Sequence, residues 1–122
     1  MSLNVLLKSI SYFNYKTINI FGNTENTMEK IKIARPDISF VQSKADVIFT
    51  TIENFEFRFL DSSQLHNNTL LLVDNIHQNK NNFDAWEKLK ERAQVTVTID
   101  LFYCGAVFFR KEQVKEHFKI RI

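Results

Sequence analysis

Thr69-Leu70-Leu71-Leu72-Val73, closed by Asp74-Asn75, is an unbroken apolar run. It shows no alternation of polar and apolar positions, so it predicts a strand covered on both faces, as central strands of parallel sheets are. Such a sheet needs helices on both sides, and the flanking segments should therefore alternate strand and helix. Upstream, Asp46–Ile52 and Ile38–Val41 read as strands. Residues 25–34 read as a helix carrying Met28, Ile31 and Ala34, with Thr24 as a cap and Pro36 ending it. Ile31 and Ile33 alternate with lysines, so a strand over Lys30–Ile33 is the competing reading. Thr17–Phe21 is a β-rich run closed by Gly22-Asn23, and Leu3, Leu6, Leu7, Ile10 and Phe13 recur at helical spacing behind Ser2. Residues 53–65 admit two readings. Phe55, Phe57 and Phe59 alternate as in a strand, yet no turn residue separates them from the strand before, so a helix is preferred.

Downstream, Phe83, Trp86, Leu89 and Ala93 mark a helix, with Asn81 as its cap and Asp84–Lys88 as a supporting i,i+4 pair. Val95–Phe102 alternates Val, Val, Ile with Thr, Thr, Asp. Gly105 marks a turn or bulge before the strand Ala106–Arg110, and residues 116–121 add a short terminal strand. The strand pair around Gly105 leaves no room for a crossover helix, so it should be antiparallel. The expected fold is α/β, one domain over residues 1–122, with a mostly parallel sheet and an antiparallel C-terminal strand pair.

Composition narrows the function classes. The 122 residues include two Gly and one Cys. Two Gly exclude the glycine-rich phosphate loops, and one Cys excludes a disulfide framework or a cysteine-rich zinc site. An apolar content of 44% excludes disorder. A net charge of +2 is too mild to argue for nucleic acid. The basic end, with Arg110, Lys111, Lys115, Lys119 and Arg121, is the one local exception, and Glu112 and Glu116 dilute it. No apolar run reaches the ~18 residues of a membrane span. The N-terminal apolar stretch lacks a preceding charged region and is broken by Asn4, Lys8, Ser9 and Ser11, so it is not a signal peptide. The expectation is a cytoplasmic protein without a membrane partner.

Few residues suggest chemistry by themselves. His66, His77 and His117 lie far apart and have no ligand spacing. Asp74–Glu87 fails as a calcium loop, with Ile76 at the third position and Asn79 where glycine is required. Cys104 reads as a buried apolar residue. Asp74-Asn75 is the most suggestive pair. It closes the central strand, where open α/β sheets place ligands, and it offers two hard oxygen donors suited to magnesium or calcium. An Asx turn capping the following loop is the preferred reading.

TLLLVDNIH, FDAWEKLKER and VTVTIDLFYCGAVFFRKEQVKEHFKIR together resemble the end of a bacterial group of class I S-adenosylmethionine-dependent methyltransferases. The resemblance covers about half of the chain and extends more loosely to the N-terminal helix, to Lys16–Asn23 and to Asp46–Thr51. It implies a Rossmann-like three-layer sandwich of a shortened methyltransferase-like kind, with Gly22 and Asn23 at the cofactor loop and Asp74 and Asn75 at the metal position. It also implies losses. No acid precedes Gly22, and Thr50-Thr51 stands where the fourth strand should supply an Asp. Too few residues separate Gly22 from Ile38 for a second strand ending in the ribose-binding acid. Losing that acid removes charge-assisted hydrogen bonds worth roughly 1.5–3 kcal/mol each.

The expectation is thus a degenerate, non-catalytic domain acting through protein association, as a homo-oligomer or with another protein. No catalytic residue and no cofactor are expected, and Gly22, Asn23, Asp74 and Asn75 stand as vestigial positions. The alternatives are an active methyltransferase using S-adenosylmethionine, and a nucleic-acid-binding module built on the basic C-terminal segment.

Overall fold

The structure is a computed structural model that describes residues 2–22 and 25–120. Its helices are α1 (Ser2–Phe13), α2 (Glu25–Ala34) and α3 (Lys80–Lys90). Its strands are β1 (Thr17–Ile20), β2 (Ser39–Phe40), β3 (Val47–Thr51), β4 (Leu70–Asp74), β5 (Val97–Asp100), β6 (Cys104–Phe108) and β7 (Glu116–Lys119). They form one seven-stranded mixed sheet in the order β2-β1-β3-β4-β6-β5-β7. β1 to β4 run parallel, β6 is antiparallel to both β4 and β5, and β7 returns parallel to β5. The apolar run at Leu70–Val73 lies at the centre of the order and is buried on both sides.

Two cores follow from strand alternation. On one side Leu6 and Ile10 of α1 and Ile31 of α2 pack on Ile18, Val47, Leu70 and Leu72. On the other, Trp86 and Leu89 of α3 pack with Ile48, Leu71, Val73 and Val107. Among the described residues, no helix is long and apolar enough to cross a membrane.

Several expectations are corrected. Residues 53–65 form neither an α-helix nor a strand but a single 3-10 turn, Phe57–Leu60, between loops. Phe59 and Leu60 are buried there, while Phe55 and Leu65 pack partly against the same core from the loops on either side. Two adjacent inward residues match neither a strand's alternation nor a long helical stripe, and Asp61-Ser62-Ser63 then favours turns over helix. The second strand is present. α2 supplies a ten-residue crossover, and Thr17 and Ile18 pair with Ser39 and Phe40. Val41-Gln42 follows that strand, without an acid.

The cap of α3 is Asn79, whose side chain accepts the Asn82 N–H, rather than Asn81. Its ion pair is Glu87–Lys90 at 3.1 Å, in place of the expected Asp84–Lys88. Gly105 is neither turn nor bulge but lies inside β6, where an added Cβ would stand 2.4 Å from the Trp86 ring. Trp86 therefore lies directly on the β6 backbone. The turn itself is made by Leu101–Tyr103, with Phe102 at φ 74. A bulky residue in that region costs about 1–2 kcal/mol. Asn23 and Thr24 lie outside the described residues.

Candidate functional site

The carboxyl ends of β1, β3, β4 and β5 gather most of the residues that the sequence singled out. Thr51, Asp74 and Cys104 stand side by side across β3, β4 and β6. Thr51 holds the place beside Asp74 where a second carboxylate would complete a metal pair. Its hydroxyl instead accepts the Asn54 side-chain amide at 2.9 Å. Asn54 in turn packs against Gly22. A Cβ on Gly22 would meet the Asn54 amide nitrogen at 2.7 Å, and Gly22 has φ +103. The close backbone approach that glycine permits is thus already taken by Asn54.

Asp74 is engaged in the same way. Its Oδ1 accepts the Ser2 hydroxyl from the start of α1 and the Asn75 N–H at 2.9 Å. Asn75 adopts φ 68, a conformation that short polar side chains tolerate. Its N–H also donates to the Tyr103 carbonyl at 3.0 Å, and its carbonyl accepts the Asn82 amide at 3.1 Å. The pair therefore fastens the β4–α3 loop to α1, to α3 and to the β5–β6 turn. Beneath it Cys104 is fully buried, and desolvation pushes its thiol up to about 11, against a weaker lowering contact with Ser2. Among the described residues, no three His, Cys, Asp or Glu side chains converge to hold a metal ion.

His77, dismissed above as a metal ligand, meets Asp100 here, a pairing with no signal in ligand spacing. His77 Nε2 lies 2.6 Å from Asp100 Oδ2, and Asp100 Oδ1 accepts the Phe102 N–H at 2.8 Å. The His77 ring stacks on Phe102 at 5.0 Å and lies 5.0 Å from Phe83. Asp100 is buried, which a carboxylate tolerates only when it is hydrogen-bonded and paired. An imidazole oriented by a carboxylate is half of an acid–base site. A signal of position was present: His77 directly follows Asp74-Asn75-Ile76, and Asp100 ends its strand, so both occupy carboxyl ends of strands.

Four cavities formed by described residues have neither Gly22 nor Asp74 in their walls. One, of about 470 Å³, opens at the ends of β1 and β2 between Asn19, Gln42 and Gln64, and is partly closed by Phe21 stacked on Phe59 at 3.8 Å. Two others, of about 1030 Å³ and 630 Å³, lie at the opposite, amino end of the parallel strands. Of the basic C-terminal residues, Arg110 bonds Glu112 at 2.8 Å and Lys115 donates to the Arg92 carbonyl at 2.8 Å. Arg121 lies outside the described residues. No protein-family model, curated protein or solved structure matches the chain.

Proposed function

We propose that this chain is a Rossmann-like, methyltransferase-like domain that does not turn over S-adenosylmethionine and acts by association with protein, a second copy included. The observation that carries the reading is Asn54 packed into the space beside Gly22, anchored by Thr51. Support comes from Gln42 in place of an acid after β2, from the Phe21–Phe59 stack, and from the Ser2 hydroxyl on Asp74. These contacts support the reading that the loop no longer holds the cofactor. Phe118 and Ile120, nearly half exposed on and after the edge strand, favour contact with another chain.

Calorimetric titration with S-adenosylmethionine should give no binding heat, and sedimentation should report a dimer or a captured partner. Micromolar cofactor binding would overturn the reading. A second reading, an active methyltransferase of unidentified acceptor, is favoured by the Asp100-oriented His77 at the carboxyl end of the sheet. In that case S-adenosylmethionine binds, and His77→Ala removes methyl transfer while leaving cofactor affinity in place.

A further inference from the structure

On the α1 side of the sheet, burial thins out towards β7. Val97 and Ile99 are half-buried, and all four residues of β7 are exposed. A cavity of about 630 Å³ lies there, within the range of small-molecule sites. Four aromatic residues stand in its otherwise mostly polar walls: Phe13 at the end of α1, Tyr15 just after it, Phe108 of β6 and Phe118 of β7. Phe13 stacks on Tyr15 at 5.2 Å and meets Phe108 edge-on at 6.2 Å. The same walls carry two carboxylates, Asp46 and Glu116.

The cations nearby are already matched. Arg110 lines the cavity, but its Nε and Nη2 both bond Glu112, at 3.0 and 2.8 Å. His66 is likewise engaged: its Nδ1 accepts the Asn68 N–H at 3.1 Å and its Nε2 lies 2.9 Å from Asp46. The Glu116 backbone pairs within the sheet, but its carboxylate makes no hydrogen bond or ion pair to a described residue. Tyr15 is only 7% exposed, lines the cavity, and its hydroxyl makes no hydrogen bond to a described residue.

Ring faces and carboxylates present the same negative potential. A weakly hydrated organic cation meets both demands at once, giving up little solvation and gaining cation–π attraction. A compact primary ammonium loses more hydration on entering an aromatic wall. We propose that this cavity, between α1, β6 and β7, binds an alkylated ammonium group, of the quaternary or tertiary kind. The inference is independent of the cofactor reading, because the cavity lies at the other end of the sheet. The group could be free or carried on a methylated lysine, and the two sources share this chemistry.

The test titrates the full chain with choline, with its neutral isostere 3,3-dimethylbutan-1-ol, and with a short peptide carrying trimethyl-lysine, followed by amide shifts in NMR. Choline should bind saturably and shift the amides of Tyr15, Phe108 and Glu116, with the alcohol weaker by about 5-fold or more. Glu116→Gln and Phe118→Ala, both at exposed positions, should each weaken choline by about 3- to 10-fold, with Phe57→Ala as an unaffected control. A peptide tighter than choline assigns the cation to a protein partner, and an equal or weaker peptide assigns it to a free small molecule. Equal binding of the alcohol, shifts confined to other regions, or no saturation by any of the three probes overturns the proposal.

Discussion

Asp46 joins the amino ends of three strands. Its Oδ2 accepts the Lys16 and Thr17 N–H groups at 2.7 and 3.2 Å, its Oδ1 receives His66 Nε2 at 2.9 Å, and its own N–H donates to the Thr17 hydroxyl at 2.8 Å. Burial alone would raise its pKa; the donations from Lys16, His66 and Thr17 outweigh burial and hold the carboxyl below its usual range. A carboxyl depressed on folding adds stability above its unfolded pKa and loses it as pH falls through the folded value. Urea midpoints should therefore drop as pH falls from about 6 into the carboxylate range near 4 and below. Asp46→Asn should lower the midpoint at neutral pH and flatten that drop, and identical slopes in the two proteins would count against this role. Gly105 makes a different demand. With an added Cβ 2.4 Å from the Trp86 ring, Gly105→Ala should cost roughly 1–3 kcal/mol in the same urea measurement. The Trp86 indole N–H is buried without an acceptor among the described residues, so packing and the Lys90 ammonium 6.0 Å over the ring hold it. An unchanged midpoint would mean that the ring shifts freely.

α3 shows how far an element can be read locally. Its apolar spacing at Phe83, Trp86 and Leu89 forecasts a helix, and Lys80–Lys90 is one. Its start is harder, because Asn79, Asn81 and Asn82 all have capping chemistry. Only the extended Asn79, at φ −156, turns its side chain onto the Asn82 N–H. Asn79→Ala should lower stability by about 1 kcal/mol, whereas Asn81→Ala, on the exposed surface, should stay within about 0.5 kcal/mol. Equal losses in thermal unfolding would move the cap back to Asn81. The loop after β3 failed to declare itself for a related reason. Phe55, Phe57 and Phe59 alternate because they build an aromatic cluster, with Phe55 edge-on to both others at 5.4 and 5.9 Å, and not because they lie along a strand. Periodicity reports only that side chains share a side, and an irregular loop can share one too.

The whole molecule is two cores divided by one sheet, and neither core has a backbone of its own. Trp86 reports the α3 side, and Cys104, fully buried, reports the α1 side. Tryptophan emission and thiol labelling, followed through urea, should therefore change in one coincident transition. Cys104, pushed up to about 11 by burial, should resist labelling until that transition. Separate midpoints would show that the two layers unfold independently. Much of this architecture was determined by the sequence alone. The unbroken run at Leu70–Val73 requires a central strand, the spacing of Leu6 and Ile10 requires an amphipathic helix, and the lack of room for a crossover between the last strong strands requires an antiparallel pair, although the turn itself lies at Leu101–Tyr103 and not at Gly105. Each rests on neighbours a few residues apart, where periodicity and turn length act directly. Only the tertiary structure decided which polar groups meet: Asn54 on Gly22, Ser2 on Asp74, His66 with Asp46 and His77 with Asp100. Those partners lie on different elements, the histidine pairs 20 and 23 residues apart. Their contact depends on strand order and register, which long-range packing of the two cores sets and which no local pattern encodes.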